Sequence, residues 1–193
     1  ALLVRTSAAT CVQCSRQRAF NVAAGATSWH QPTTASCLLA YMLGTWSVTK
    51  SMQYNRGGKD GTFTGQATFA SLDASVVGFE EHGTALLAPN NDEYQARSSL
   101  LYVAAQEKSV RVLFDEGSDR SSAGAILAGA RFFHTIEFGG GFNVEYRLSE
   151  HPCGPDVYRG RLAVDGEESF RLLWSVSGPR KLGTVTSTFR RSA

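Results

Sequence analysis

From Thr45 onward, apolar and polar residues alternate in short segments separated by turn-forming residues. In Thr45–Asn55, Trp46, Val48, Met52 and Tyr54 share one face, Ser47, Thr49, Ser51 and Gln53 the other, and Lys50 interrupts the apolar side. Period two is the mark of a half-buried strand. The cluster Arg56-Gly57-Gly58-Lys59-Asp60-Gly61 turns the chain, and Thr62–Leu72 alternates again, so the two segments predict a hairpin. Further strands are predicted over Ser75–Leu87, Glu93–Ala104, Lys108–Phe114, Ala130–Phe138, Phe142–Leu148, Val157–Val164, Ser169–Ser177 and Leu182–Arg190. In Ala130–Phe138, Phe132, His134, Ile136 and Phe138 share the apolar face. Asp165-Gly166 is a strong hairpin turn, and His151–Asp156, with prolines at 152 and 155, reads as a loop.

Two stretches break the rhythm. Asp115–Gly129 is rich in Ser, Gly and Ala and reads as a long loop with a helical turn at Ala123–Leu127. Ala35–Leu43 reads as a short helix, capped by Thr33, Thr34 or Ser36 and ended by Gly44, placed to plug one end of a barrel. The fold predicted is all-β: an antiparallel up-and-down barrel of about nine or ten strands, with that helix before the first strand. A sandwich is the rival, but consecutive hairpins favour a barrel, whose closure removes sheet edges. The division predicted is an N-terminal arm over 1–43 and a barrel over 44–193. Trp46, Phe69, Tyr102, Phe114, Phe132, Trp174 and Phe189 are the large inward candidates, and such bulk leans toward a filled interior.

The arm changes the picture. No Asp or Glu occurs from Ala1 to Lys59, and Arg5, Arg16 and Arg18 are the charges before Lys50. An Arg-bearing, acid-free, Ser-rich leader has the character of an organellar transit segment. It predicts a mitochondrial location, with another organelle or the cytoplasm as alternatives. An extended arm has little core of its own and needs a surface, so it is expected to pack along a partner protein. Of the 4 Cys, Cys11, Cys14 and Cys37 lie in the lead and Cys153 in the barrel region, which is no secreted disulfide framework and points to a reducing compartment. Cys11-Val12-Gln13-Cys14 has the spacing of half a zinc site, but with no second such pair the reading is plain free thiols. Neither a metal nor a cofactor is expected. The net charge of +2 with scattered basic residues gives no nucleic-acid footprint. No apolar run approaches the ~20 residues of a membrane helix.

The Gly44-x-Trp46 entry, the run of hairpins and the final Phe189-Arg190 resemble the calycin superfamily, which includes lipocalins and fatty-acid-binding proteins. That resemblance implies a Trp at the barrel base with an Arg of the last strand over it, here Trp46 and Arg190. Such a contact is worth roughly 0.5–2 kcal/mol. The motif His151-x-Cys153-x-x-Asp156-x-Tyr158-x-Gly160, followed by Trp174-x-Val176-x-Gly178-Pro179-Arg180-Lys181, resembles an uncharacterised lipocalin-like domain family. The match runs from about Gly44 to Arg191 and implies a fold, not an activity.

His134, His151, Asp156, Tyr158 and Arg180 are the candidate ligand-binding residues. His134 follows two Phe, and is either an inward His facing a ligand or a half-buried His bonded to a carbonyl. His151 and Asp156 are either an acid–base pair at the barrel mouth or loop architecture, with Asp156 accepting backbone donors. Arg180 and Lys181 are either an anion site or a solvated hairpin. Three functions compete. The first is a non-catalytic accessory subunit of a mitochondrial assembly, such as a respiratory or ATP synthase complex, bound through the arm. The alternative is a carrier or sensor of a lipid or other hydrophobic small molecule. The third is an enzyme using His151 and Asp156, and no catalytic constellation in the sequence favours it.

Overall fold

The computed structural model describes residues 29–117, 122–139 and 145–192. The chain beyond Pro32 opens with helix α1, Ala35–Met42. Thr34 caps it, its hydroxyl accepting from the Cys37 amide at 3.2 Å. Ala35, Leu38, Leu39 and Met42 are its buried face, a spacing of three, four and seven that puts them on one stripe. Gly44, at φ +112°, ends the helix and starts β1, Gly44–Arg56. There follow β2 (Gly61–Ser71), β3 (Val76–Leu87), β4 (Asp92–Gln106), β5 (Ser109–Phe114), α2 (Ala123–Ala128), β6 (Arg131–Glu137), β7 (Glu145–Cys153), β8 (Asp156–Gly166), β9 (Ser169–Ser177) and β10 (Leu182–Arg191).

Each strand pairs antiparallel with the next, and β1 pairs with β10, closing a ring of ten strands. That last pairing runs from Trp46–Arg191 to Arg56–Leu182, so among the described residues the sheet closes on itself. The predicted all-β barrel and its preceding helix are the observed architecture. α2 lies on the outer wall, where Ile126 packs with Leu101 and Leu113.

The end of the barrel nearest α1 is filled. Trp46 packs edge-on against Phe170 at 4.9 Å, and Phe170 stacks on Phe189 at 4.4 Å. Phe69 joins Phe79 at 4.8 Å and Tyr102 at 5.5 Å. Aromatic pairs of this geometry add about 0.5–1.5 kcal/mol each beyond the area they bury. α1 and the residues before it form the lid. The Trp46 indole donates to the Met42 carbonyl at 2.7 Å, and the Tyr41 hydroxyl reaches the Gly166 and Ser169 carbonyls. Tyr146 donates to Pro32 O at 2.6 Å, and Gln31 to Val164 O at 3.1 Å. The described part of the lead is thus bonded to its own barrel. The rest of the arm, with Cys11 and Cys14, lies outside the described residues. Cys37 is disulfide-bonded, where the expected reducing compartment predicts a thiol.

Arg191, not Arg190, covers Trp46. Its guanidinium lies 4.2 Å from the indole centroid and donates to Leu43 O at 2.9 Å and Tyr41 O at 2.8 Å, the carbonyls at the end of α1. Alternation explains the shift. Phe189 points inward, Arg190 outward and exposed, and Arg191 sits opposite Trp46 in register.

Candidate functional site

At the other end of the cylinder the same inward rows continue, but their residues are half-buried. On β1 the row passes from Trp46 and Val48, both fully buried, to Lys50, Met52 and Tyr54, which are not. On β9 it passes from buried Phe170 through half-buried Leu172 and Trp174 to Val176, which is buried again beside the β9–β10 turn. Leu100, Phe133 and Trp174 pack against the core from this side without being enclosed. The interior is therefore filled at its α1 end and less fully buried beyond Lys50, around Met52, Tyr54, Leu172 and Trp174.

Lys50 marks the boundary. It does not leave the apolar face; it points inward with its neighbours, opposite Ser187 of β10 and Phe63 of β2. Its ammonium forms a close ion pair with Glu81 of β3 and lies 4.8 Å from the Phe63 ring centroid. The Glu81 side chain is 3% exposed, and that of Lys50 still 24% exposed although it faces the lumen. Sequence alternation missed this pair because each residue taken alone interrupts an apolar face. Only the strand register, which brings β1 and β3 to either side of β2, matches one charge to the other.

A β-bulge shapes the wall above this pair. Val112 of β5 faces His134, yet Leu113 faces Phe132, so Phe133 is an extra residue on β6. The bulge reverses the expected side for Phe132, which is 46% exposed and carries Arg111 over its ring at 5.8 Å. It turns Phe133 inward instead. Phe133 stacks on Trp174 at 5.6 Å and lies tilted against Phe114 at 4.5 Å. The indole in turn lies against Gly160 of β8, where a Cβ would come within 2.7 Å of the Trp174 ring. Glycine is required there by that close approach.

His134 is 3% exposed, 4.6 Å from the Phe133 ring and 5.0 Å from Trp174. Its Nδ1 has no hydrogen-bond partner among the described residues. Burial lowers its pKa from 6.5 to about 4, with the Thr135 backbone acting the other way and His151 adding to the fall. The ring is neutral at physiological pH.

His151 is half-buried on β7, not in a loop: β7 runs on to Cys153, and the turn is the pair Gly154-Pro155, with Gly154 at φ +64°. Its Nδ1 lies 3.0 Å from Phe133 O, the carbonyl that the bulge frees. Since a carbonyl only accepts, Nδ1 carries the proton. Beside it the Thr135 amide donates to Ser149 Oγ at 2.9 Å. These two bonds continue the β6–β7 seam where the register pairs Ile136–Leu148 and Glu137–Arg147 leave off.

Asp156 is 3% exposed, and its Oδ1 accepts from the amides of Arg180 at 2.9 Å and Lys181 at 3.1 Å. It holds the β9–β10 turn. Arg180 itself is exposed. Tyr158, opposite His151, accepts from Lys181 Nζ at 3.5 Å. Proximity to that phenol raises the Lys181 pKa. The five predicted residues thus fall into two groups. His134, His151 and Tyr158 line the mouth with the aromatic wall, whereas Asp156 and Arg180 build its rim. His151 and Asp156 are each committed to other partners. Cys153 is free and exposed. Among the described residues no three His, Cys, Asp or Glu side chains gather as a metal site, and no helix is long and apolar enough to cross a membrane. A cleft of about 130 Å³ on the outer wall, lined by Thr68, Leu72, Glu80, Ser99 and Asp115 among others, falls short of the ~300 Å³ of an ordinary ligand pocket.

A closed antiparallel barrel with one sealed end and one open, aromatic-lined end is the class of protein this defines. Within it, the chain belongs to a family of unknown function (DUF6314), whose model matches residues 42–191. No curated protein matches the chain. Among solved structures, the S-type phycobiliprotein lyase CPES from Guillardia theta is similar, with a TM-score of 0.56 at 10% identity over 83% of this chain and 93% of that one. The barrel EF1p2_mFAP2b, bound to DFHBI, gives a TM-score of 0.43 at 14% identity over 82% and 99%. Rv2717c from M. tuberculosis gives 0.42 at 9% identity over 82% and 98%. At these identities the lyase shares the barrel and nothing finer.

Proposed function

We propose that this protein is a non-catalytic carrier or sensor of a small hydrophobic molecule, held in the open half of its barrel. One observation carries the reading: inward-facing Lys50, Met52, Leu172 and Trp174 remain partly exposed, while the same rows are fully buried toward α1 and Val176 alone closes the β9 row beyond them. Apolar side chains facing a lumen without burying one another are the lining of a ligand site, with a few polar groups to orient what enters. The bulge that adds Phe133 to that lining supports the reading, because it costs ladder hydrogen bonds and its main product is an inward ring.

The rival readings draw less support. Partner binding through the arm rests on residues 1–28, outside the described chain, and residues 29–43 are occupied by their own barrel. Catalysis by His151 and Asp156 asks for side chains that other groups already hold. A mitochondrial location follows from the acid-free lead alone and fits either a carrier or a subunit; localising the full-length tagged protein tests it.

The neutral dye N-phenyl-1-naphthylamine, which brightens in apolar sites, tests the carrier. Saturable brightening is expected, with competition by long-chain apolar molecules and loss in Trp174→Ala. Brightening that is not saturable, or that Trp174→Ala leaves unchanged, would overturn it.

A further inference from the structure

The carrier reading leaves open which end of a ligand goes in first and what charge it bears. Lys50 and Glu81 stand at the bottom of the open half, and Ser187 is buried opposite Lys50. Lys50 has three donors, and Glu81 takes one of them. Glu81 Oε2 has no partner among the described residues. The two charges cancel, and His134, neutral at physiological pH, adds none.

Resting on that reading, we infer that the lumen selects an uncharged amphiphile: an apolar body lies along Trp174 and Phe133, and a hydroxyl-bearing or carbonyl-bearing head meets Lys50 and Glu81 at the bottom. A hydroxyl answers both groups, its oxygen accepting from the ammonium and its hydrogen donating to the orphan carboxylate oxygen. A carboxylate head is refused. It would bring a second anion beside Glu81 where one ammonium is already matched, and like charges sharing a dry site are strongly disfavoured. A cationic head is refused by Lys50 on the same ground. Glu81 is therefore a specificity-determining residue: it holds Lys50 in place and removes the net charge that would otherwise draw in an acid.

The test uses the full chain and three ligands with one tail, dodecanol, dodecanoate and dodecylamine, each displacing N-phenyl-1-naphthylamine. In the wild type dodecanol is expected to displace the dye at a concentration about tenfold or more below either charged ligand. Glu81→Gln unbalances the lumen toward positive charge, and dodecanoate should gain about tenfold. Lys50→Met unbalances it the other way, and dodecylamine should gain. Should either single variant fail to fold, the doubly apolar Lys50→Met/Glu81→Leu variant serves: dodecanol should lose about tenfold relative to the dye, which has no hydroxyl head. Dodecanoate binding the wild type as tightly as dodecanol, or head-group preferences that none of these variants moves, would sink the inference and leave the carrier standing. Absence of saturable dye binding would remove the carrier, and this inference with it.

Discussion

At the end of the barrel under α1, every inward aromatic touches another, and the polar atoms of Trp46, Tyr41 and Tyr146 each reach a backbone carbonyl. At the opposite end, Phe114, Phe133 and Trp174 also touch one another but stay half-buried, His134 Nδ1 and Glu81 Oε2 go unpartnered among the described residues, and a lysine faces the lumen. The same ten strands build both ends. The difference lies in what closes them: a capped helix and an arginine at one, turns at the other. A closed sheet supplies its own hydrogen bonds around the whole ring, so one end can be left underfilled without loss of the fold. Stability is concentrated under the helix, and function is expected where packing is given up.

The sharpest way to break that contrast is to truncate the sealed end. Trp46→Ala removes a fully buried indole, its bond to Met42 O and its contact with Arg191. A loss of about 3–5 kcal/mol is expected, read as a lower denaturation midpoint in urea. A loss under about 1 kcal/mol would mean that the helix end is not where the fold is held. Acid tests the boundary between the ends. Because His134 has its pKa lowered to about 4 in the folded chain, the unfolded chain takes up its proton first as pH falls. Its contribution is intact above the ordinary value near 6.5 and is lost progressively between there and about 4. The loss is about 3 kcal/mol at full extent. Comparing stability at the two ends of that window for the wild type and His134→Gln isolates it: the variant should lose that part of the acid sensitivity.

These effects bear on what could be read from the sequence. The ring of strands was legible because alternation needs only local information, and α1 because its cap and apolar stripe lie within a few residues of each other. The site was legible only in part. His134, His151 and Tyr158 stood out as polar residues among aromatics, but the pairing of Lys50 with Glu81 depends on the register of three strands. Phe133 and Phe132 exchanged sides because a bulge resets the period-two count, and no residue type announces it. Arg190 and Arg191 exchanged roles because two adjacent arginines end the chain's last strand and only its pairing with Trp46 decides between them. Asp156 reads in the sequence either as half of an acid–base pair or as an acceptor of backbone donors, and it is the second, since a carboxylate that binds amides and one that takes a proton look alike in a sequence.

The arginines give a smaller and cleaner contrast. Arg191→Met removes the cation over Trp46 and two donors to the end of α1, and about 1–2 kcal/mol should go with them. Arg190→Met, one residue earlier on the exposed side, should change stability by less than about 0.5 kcal/mol. Equal effects on urea midpoints would mean that the last strand is not registered on Trp46 as described.

Only a modest stability change is expected where the binding change is largest. Trp174 is half-buried, so its truncation loses only part of an indole's burial and leaves a space that is already open. A cavity penalty arises when enclosed neighbours are left without contacts, and here the neighbours on one side are already missing. Trp174→Ala should therefore cost about 1–2 kcal/mol, well below Trp46→Ala, while abolishing saturable dye binding. Gly160→Val approaches the same site from behind: the added side chain would enter the space of the Trp174 ring and drive it into the lumen. Dye binding should fall there although no ligand-facing side chain has been removed. If both tryptophans prove equally costly to stability, the two ends are equally packed, and the lumen proposed as a binding site is part of the core.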